Sequence, residues 1–371
     1  MKVGFILIAL AILFSLNGYV IARGWQVLPS ASFLRPLYVI TAIVLFLTLL
    51  TGMIFSNAMP QAIGKAVSFI GFTYLIIFIY LFLSFLVVDV LRLFNLFIHI
   101  RPLYMASFRL WMMIATLGIT GIALIVGNYK FNHPKIVTLN LSTDNPTQHK
   151  ELKIVAVSDI HLGVSIDKRM LQKYVQLIND QHPDIVLIAG DVSDRSIMPL
   201  IKQNMEEEFR AIKASKGIYA INGNHEHYAE TTNATEEYLK KAGIVFLRDS
   251  ACLVDSSFYV VGRDDRSNQR RKPLNEIVKG LDPHYPRILM DHQPFHLEEA
   301  EKNNIALQIS GHTHNGQFFP GNLFVKNMYE VGYGYMKKGK THYYVSSGLG
   351  IWGPQYRIGT QSELVVIRFR Y

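Results

Sequence analysis

Residues 154–161 read Ile154-Val155-Ala156-Val157-Ser158-Asp159-Ile160-His161, four strand-forming apolar residues running into an acid and an imidazole two positions apart. The same arrangement returns downstream. Ile185-Val186-Leu187-Ile188 leads to Gly190-Asp191-Val192-Ser193-Asp194, Ile288-Leu289-Met290 to Asp291-His292, and Leu307-Gln308-Ile309 to Gly311-His312-Thr313-His314. A fifth cluster, Gly223-Asn224-His225-Glu226, follows the shorter run Gly217-Ile218-Tyr219-Ala220-Ile221. Short β-branched runs are strands, and loops at strand ends are where an open α/β sheet builds its sites. Residues 170–179, 205–214 and 235–242 carry apolar residues at helical spacing. Residues 341–346 and 363–369 read as strands, and 252–261 as a hairpin turning at Asp255-Ser256-Ser257. This alternation predicts an α/β domain of about 230 residues around one core.

Each cluster offers oxygen or imidazole donors of the kind that hold hard or borderline divalent ions. Asp159 and His161 project to the same side of an extended end. Asp191 has two oxygens to place on two cations, as a binuclear site with ions ~3.5–4 Å apart requires. Asn224 supplies a neutral amide oxygen, which limits the negative charge of the site. Gly223 permits a tight backbone path, and His225 is left for proton chemistry. His292, His312 and His314 complete the imidazoles. Taken singly, an Asp-x-His or a Gly-Asp is a common surface turn; it is the five clusters together, each after an apolar run, that point to a site.

In order and spacing the set resembles the calcineurin-like metallophosphoesterase superfamily, whose pattern is D-x-H, G-D-x-x-D, G-N-H-[DE], a lone H and G-H-x-H. All five elements are intact, and the resemblance covers residues 150–371. Ser346-Ser347-Gly348-Leu349-Gly350 with Arg357, and Gly262-Arg263-Asp264-Asp265, are similar to the membrane-anchored branch of that superfamily. The resemblance implies a four-layer αββα sandwich, two mixed sheets face to face with helices outside. It implies two divalent ions (Mn, Fe or Zn), one held by Asp159, His161, Asp191 and His314, the other by Asp191, Asn224, His292 and His312. His225 is then the catalytic acid and Asp194 its orienting carboxylate. Hydroxide formed on the metals attacks phosphorus, and His225 assists the leaving oxygen. Arg357 and Arg263 are candidate substrate-binding residues, since a guanidinium fork meets a phosphate; a surface salt bridge for Arg357 and a merely solvated basic loop over 263–272 are the plain alternatives.

The first third has another chemistry. Residues 1–129 hold a single acid, Asp89, and seven Lys or Arg, whereas 130–371 hold thirty basic and twenty-seven acidic residues. Residues 3–22, 37–55, 66–88 and 110–127 are charge-free apolar runs near the ~20 residues that span a bilayer. They predict a four-helix membrane domain over 1–129, a linker over 130–149 and the catalytic domain over 150–371. A cleaved signal peptide is the alternative for the first run. The net charge of +9 sits mostly beside the apolar runs, so it reads as membrane-flanking charge and not as a nucleic-acid surface. The lone Cys252 excludes an intramolecular disulfide and a multi-thiolate metal site.

The expected protein is therefore a multi-pass membrane phosphohydrolase acting on a phosphorylated small molecule or lipid. Its alternatives are a general phosphodiesterase on nucleotides or wall polymers, and a catalytically silent scaffold of the same fold. Arg23, Arg35, Arg92, Arg101 and Arg109 share one membrane side, against Lys2, Lys65, Lys130 and Lys135 with the domain, a five-to-four count that barely separates the faces. With the resemblance, it puts the domain on the extracytoplasmic side. Oligomeric state, substrate and metal identity have no sequence signal.

Overall fold

Apolar runs in the second half of the chain become strands, and those in the first third become long helices. The computed structural model describes residues 2–98, 106–143, 150–228 and 233–371; Arg101, His99 and His149 lie outside them. The chain divides into two compact units, Met1–Val126 with Gly353–Gln355 and Gly127–Trp352 with Tyr356–Tyr371.

The first unit is built from α1 (Lys2–Val27), α2 (Leu34–Phe55), α3 (Gln61–Ile98) and most of α4 (Ala106–Asn132). Leu7–Val27, Leu34–Ala58, Gln61–Phe97 and Ser107–Asn132 are long and apolar enough to cross a membrane. The helices meet through Val20, Phe46, Leu49, Tyr74, Phe78 and Phe85, while side chains such as Phe14, Ile40, Ile63 and Ile119 remain exposed. A helix apolar on every side is at home in lipid or a large core. Polar contacts join the bundle: the Tyr74 hydroxyl donates to Asn17 Oδ1 (2.5 Å) and the Tyr38 hydroxyl to the Val20 carbonyl (2.9 Å).

The second unit contains twelve strands: β1 (Lys135–Ser142), β2 (Glu151–Val157), β3 (Ile185–Ile188), β4 (Ile218–Ala220), β5 (Val245–Phe246), β6 (Ser250–Val254), β7 (Phe258–Gly262), β8 (Arg287–Met290), β9 (Leu307–Ser310), β10 (Gly334–Lys338), β11 (Thr341–Val345) and β12 (Glu363–Arg370). They form two mixed six-stranded sheets, ordered β1-β12-β2-β3-β4-β5 and β10-β11-β9-β8-β7-β6. Strands β2 to β5 run parallel in the first sheet, and β7, β8, β9 and β11 in the second. The two-residue period of a strand sorts their side chains. Ile154, Ala156, Ile185 and Leu187 meet Val260, Ile288, Met290 and Ile309 between the sheets. Val155, Val157, Val186 and Ile188 face the opposite way, toward α5 (Lys168–Asn179), α6 (Met198–Lys202), α7 (Glu206–Arg210), α8 (Asn224–Tyr228) and α9 (Ala234–Lys241), of which α5, α6, α7 and α9 supply Leu171, Leu200, Phe209 and Leu239 to that core. Beyond the second sheet, Val261, Leu289 and Tyr343 pack against α10 (Leu274–Ile277) and α11 (Glu298–Lys302), with α12 (Gly321–Met328) following β9. The expected αββα layering and the four apolar helices are both present.

Three details differ from the sequence expectation. The stretch 130–149, read as a linker, supplies β1, which pairs in parallel with β12 over Lys135–Ser142; residues 144–149 lie outside the described residues. Phe131, at the end of α4, is wholly buried in the core outside the first sheet. The helix expected over 205–214 is only Glu206–Arg210, because the chain turns at Ala211 and Ile212 toward β4.

Candidate metal centre

Parallel strands put their carboxyl ends on one edge, and that edge collects the five clusters. β2 delivers Asp159 and His161, β3 Asp191, β4 Asn224 and His225, β8 His292, and β9 His312 and His314. The loops are laced together by main-chain bonds: Asp159 N to Gly190 O (3.0 Å), His161 N to Asp191 O (3.0 Å), Gly311 N to His292 O (2.9 Å) and Gly350 N to Asp159 O (3.0 Å). This lacing forces an uncommon backbone. Asp159, His161, Asp191, His312 and His314 all have positive φ, between 48° and 72°. Non-glycine residues enter that region at a cost of about 1–3 kcal/mol each, and they cluster where side chains must be aimed.

The seven donors draw together as two neighbouring groups. In the first, His161 Nε2 lies 3.1 Å from His314 Nε2 and 3.7 Å from Asp191 Oδ2, and His314 Nε2 lies 3.5 Å from Asp159 Oδ1. In the second, His292 Nε2 lies 3.2 Å from both Asp191 Oδ2 and Asn224 Oδ1, with His312 Nδ1 2.7 Å from Asn224 Oδ1. Asp191 Oδ2 stands between the groups. Donors bonded at ~2.0–2.2 Å to one ion are separated by about 3 Å, so these spacings suit metal coordination with small adjustments. Asp159, His161 and His314 form one donor triad, His161, Asp191 and His225 a second, and Asp159, Asp191 and His292 a third, with the atoms of each within 4.8 Å of one another.

The charge state of two of the rings agrees, while for a third, His292, burial opposes protonation but the Asp191 carboxylate holds it well above the usual imidazole range. Burial lowers His161 to about 3, helped by its neighbours His225 and His314, and it holds His314 well below the usual imidazole range, helped by Arg357. Two neutral rings present lone pairs to one point, which is what a cation needs. His292 Nδ1 donates to the Ala189 carbonyl (2.7 Å), fixing the tautomer that leaves Nε2 facing Asp191. Burial opposes ionisation of Asp191, but His292 and His161 outweigh it and hold the carboxyl well below its ordinary value. The donor set is all nitrogen and oxygen, fitting Mn, Fe or Zn.

Glycine is compelled at Gly223 and Gly311, among other places. A Cβ on Gly223 would overlap the Asp191 carboxylate, and one on Gly311 would overlap that of Asp159.

His225 stands beside this cluster. Its Nδ1 donates to the main-chain carbonyl of Asp194 at 2.5 Å, and the Asp194 carboxylate lies 3.2 Å from the same nitrogen as a counter-charge. Burial opposes its protonation, but the Asp194 hydrogen bond and the Asp191 and Asp194 charges push it up to about 9. Tyr228 and Trp352 flank it, with ring centroids 5.5 and 6.3 Å away.

Neither candidate phosphate fork is available. Arg357 is wholly buried, and its guanidinium donates to the carbonyls of His314 (3.0 Å), Ser347 (2.7 Å), Gly348 (3.1 Å) and Gly350 (2.6 Å) and to Ser362 Oγ (3.2 Å). It is a cross-brace for the loops after β9 and β11. Arg357→Met should therefore destabilise the protein by about 3–5 kcal/mol, as removal of one partner from a buried charged network does, with substrate KM unchanged in the folded fraction. Thermal unfolding beside kinetics checks this; a KM effect without loss of stability would restore the phosphate reading. Arg263 is also buried, and it pairs with Glu299 (2.6 Å) and Asp291 (3.2 Å) while Arg271 takes the other Asp291 oxygen (3.2 Å). The two arginines clamp the residue before His292.

Sequence reasoning passed over Glu226, the fourth member of its cluster. Its buried carboxylate accepts from the main-chain N–H of Asp191 (3.0 Å), Ser193 (3.0 Å) and Gly223 (2.7 Å). It thereby ties the loop after β3 to the loop after β4. The sequence signal for it is an acid immediately after the Asn224-His225 pair.

Residues 152–316 match the family model for the calcineurin-like phosphoesterase. The chain is 31% identical over 251 residues to a transmembrane protein with metallophosphoesterase domain from Danio rerio, covering 63% of this chain and 57% of that one. It is 31% identical over 237 residues to an uncharacterized metallophosphoesterase of Campylobacter jejuni (62% of each) and 32% identical over 225 residues to one of Helicobacter pylori (59% of this chain, 60% of that one). The chain thus spans less than two thirds of each of these relatives. Among solved structures, NAD nucleotidase of Haemophilus influenzae aligns with a TM-score of 0.37 at 14% identity, over 54% of this chain and 45% of that one, too slight a likeness to carry an argument.

Proposed function

From the calcineurin-like metallophosphoesterase domain that this chain carries, we propose a membrane-anchored hydrolase of phosphoesters that works with two divalent ions. The observation that carries this reading is the position of Asp191 Oδ2 between His161 and His292, with Asp159 and His314 on one side and Asn224 and His312 on the other. One ion would be held by Asp159, His161, Asp191 and His314, the second by Asp191, Asn224, His292 and His312. When bound, such ions acidify a water and offset charge on the phosphate oxygens.

The remaining work falls to the chain itself. Its backbone fixes five ligands in left-handed conformations, so little reorganisation accompanies binding. His225, with Nδ1 tied to Asp194, has Nε2 as the nitrogen open to a reacting group, and against the cost of burial the Asp194 hydrogen bond and charge favour its protonated form. Protonated, it donates to the leaving oxygen. His225→Ala should retain its metal but lose turnover of an alkyl phosphoester by on the order of 10²-fold. An activated aryl ester, whose leaving group needs no proton, should lose far less. Equal rates for wild type and variant on the alkyl ester would remove the role.

A phosphate carried on a lipid is the substrate class that the architecture favours, because four apolar helices in the same chain concentrate the domain at a bilayer. The extracytoplasmic side is the orientation adopted with it, from the family resemblance and a charge count of only five to four. The full chain in detergent, assayed with each metal on phosphatidate, phosphodiester lipids, nucleotides and p-nitrophenyl mono- and diesters, tests all of this. Metal-dependent release of phosphate or alcohol, abolished by a chelator, is the expected result. Stoichiometric metal with no turnover across the panel would favour the silent-scaffold reading.

A further inference from the structure

The single carboxylate of the helical unit pairs with Arg23 and Arg92 and shares its cleft with a third guanidinium, that of Arg109. Arg23 Nη2 meets Asp89 Oδ2 at 2.7 Å, and the Tyr19 hydroxyl donates to the same oxygen at 2.7 Å. Arg92 Nη1 reaches only to 3.6 Å from Asp89 Oδ1. Arg109 completes the wall of the same cleft, together with Val27, Phe85 and Met112. The Nε atoms of Arg92 and Arg109 are buried without a hydrogen-bond partner among the described residues. Since Asp89 is the only acid in residues 1–129, the unit has no second carboxylate to offer. Three positive charges against one leave an excess of two in a cleft between α1, α3 and α4.

An excess of that size, partly withdrawn from water, calls for an anion. Depth along the helix says where. The charge-free stretch 66–88 of α3 is about 35 Å of helix, slightly more than the ~30 Å hydrocarbon core, so Asp89 and Arg92 fall at the polar boundary beyond it. The side chains of Arg23, Asp89 and Arg92 are 32%, 22% and 34% exposed, so the cleft opens outward. Planar forks at that level match the tetrahedral oxygens of a phosphate. A flanking-charge role alone would leave the arginines turned to solvent, with the Nε atoms of Arg92 and Arg109 wetted.

We propose that Arg23, Arg92 and Arg109 form a binding site for a phosphate group, on a lipid headgroup or free, at one end of the helical unit and separate from the metal centre. The proposal stands whether or not the domain hydrolyses anything. It is tested on the purified full chain in mild detergent by native mass spectrometry with dioctanoyl phosphatidylglycerol, with dioctanoyl phosphatidylcholine as the neutral-headgroup control and inorganic phosphate as competitor. Wild type should retain phosphatidylglycerol over phosphatidylcholine. Arg92→Gln and Arg109→Gln should each weaken retention by about fivefold, Arg109→Lys should recover most of it, and Asp89→Asn should strengthen it. Displacement by phosphate at equal concentration would identify a small free anion as the occupant, and indifference to it a lipid headgroup. The opposite response of Asp89→Asn separates the charge effect from a general loss of folding. Equal retention by wild type and all four variants would overturn the site.

Discussion

Replacing Asp191 with asparagine is expected to lower phosphoester hydrolysis by on the order of 10⁴-fold and to leave the purified protein short of metal. Asparagine keeps the shape of the side chain and an oxygen for the His225 main-chain N–H, which Asp191 Oδ1 accepts at 2.9 Å. What it loses is the charge on Oδ2, the atom 3.7 Å from His161 Nε2 and 3.2 Å from His292 Nε2. In place of that oxygen an amide NH2 would face the site, directing hydrogens where a cation belongs. Changes in groups that merely orient ligands cost about 10–100-fold in affinity, so loss of a charged donor common to two ions must exceed that. Several kcal/mol of charge stabilisation in the transition state depend on those ions, and at 1.36 kcal/mol per decade the rate follows. Metal content per chain and kcat/KM, measured on the same sample, give the answer. A variant with full metal and a rate within tenfold of wild type would show that Asp191 is not shared.

Which parts of this molecule can be read from sequence depends on how local their causes are. Ile154-Val155-Ala156-Val157 and Ile185-Val186-Leu187-Ile188 are legible because parallel strands buried on both faces become unbroken apolar runs. The donors are legible because Asp, His and Asn beside glycine at strand ends have few other uses in such numbers. Strand β1 has no such signature. It lies at a sheet edge with most of its side chains exposed, and its partner β12 is more than two hundred residues away. The arginines mislead for a related reason. A guanidinium invites a phosphate on paper, but Arg357 finds main-chain carbonyls and Arg263 finds Asp291 and Glu299, pairings set by tertiary approach alone. The left-handed backbone at Asp159, His161, Asp191, His312 and His314 is equally silent, because no residue type there requires it. It follows from the loops being laced across two sheets.

Glu226→Ala should be among the most destabilising single changes in the domain, by about 3–6 kcal/mol, and should weaken metal binding 10–100-fold without touching a ligand. The carboxylate is buried, and its two oxygens serve three main-chain N–H groups: Oε2 takes those of Asp191 and Gly223, Oε1 that of Ser193. Each buried N–H left unpaired costs about 1–3 kcal/mol. Residues held at positive φ have little freedom to find a new acceptor, and Asp191 is one of them, at 52°. With its N–H released, Asp191 is free to relax toward an ordinary conformation, which swings its carboxylate from between His161 and His292. Glu226→Gln grades the effect. Its single oxygen can still serve Asp191 and Gly223, while its NH2 opposes the Ser193 N–H, so its stability and metal affinity should fall between those of wild type and alanine. Thermal unfolding of the full chain in mild detergent, with amide exchange followed at residues 190–193 and 223–226, reads both quantities. Faster exchange confined to those two segments in the glutamine variant, and melting of the whole domain at lower temperature in the alanine variant, is the expected pattern. Unaltered exchange and metal affinity in both variants would mean that the loop after β3 keeps its shape by other means, and that the strained Asp191 backbone is held by β-sheet lacing alone.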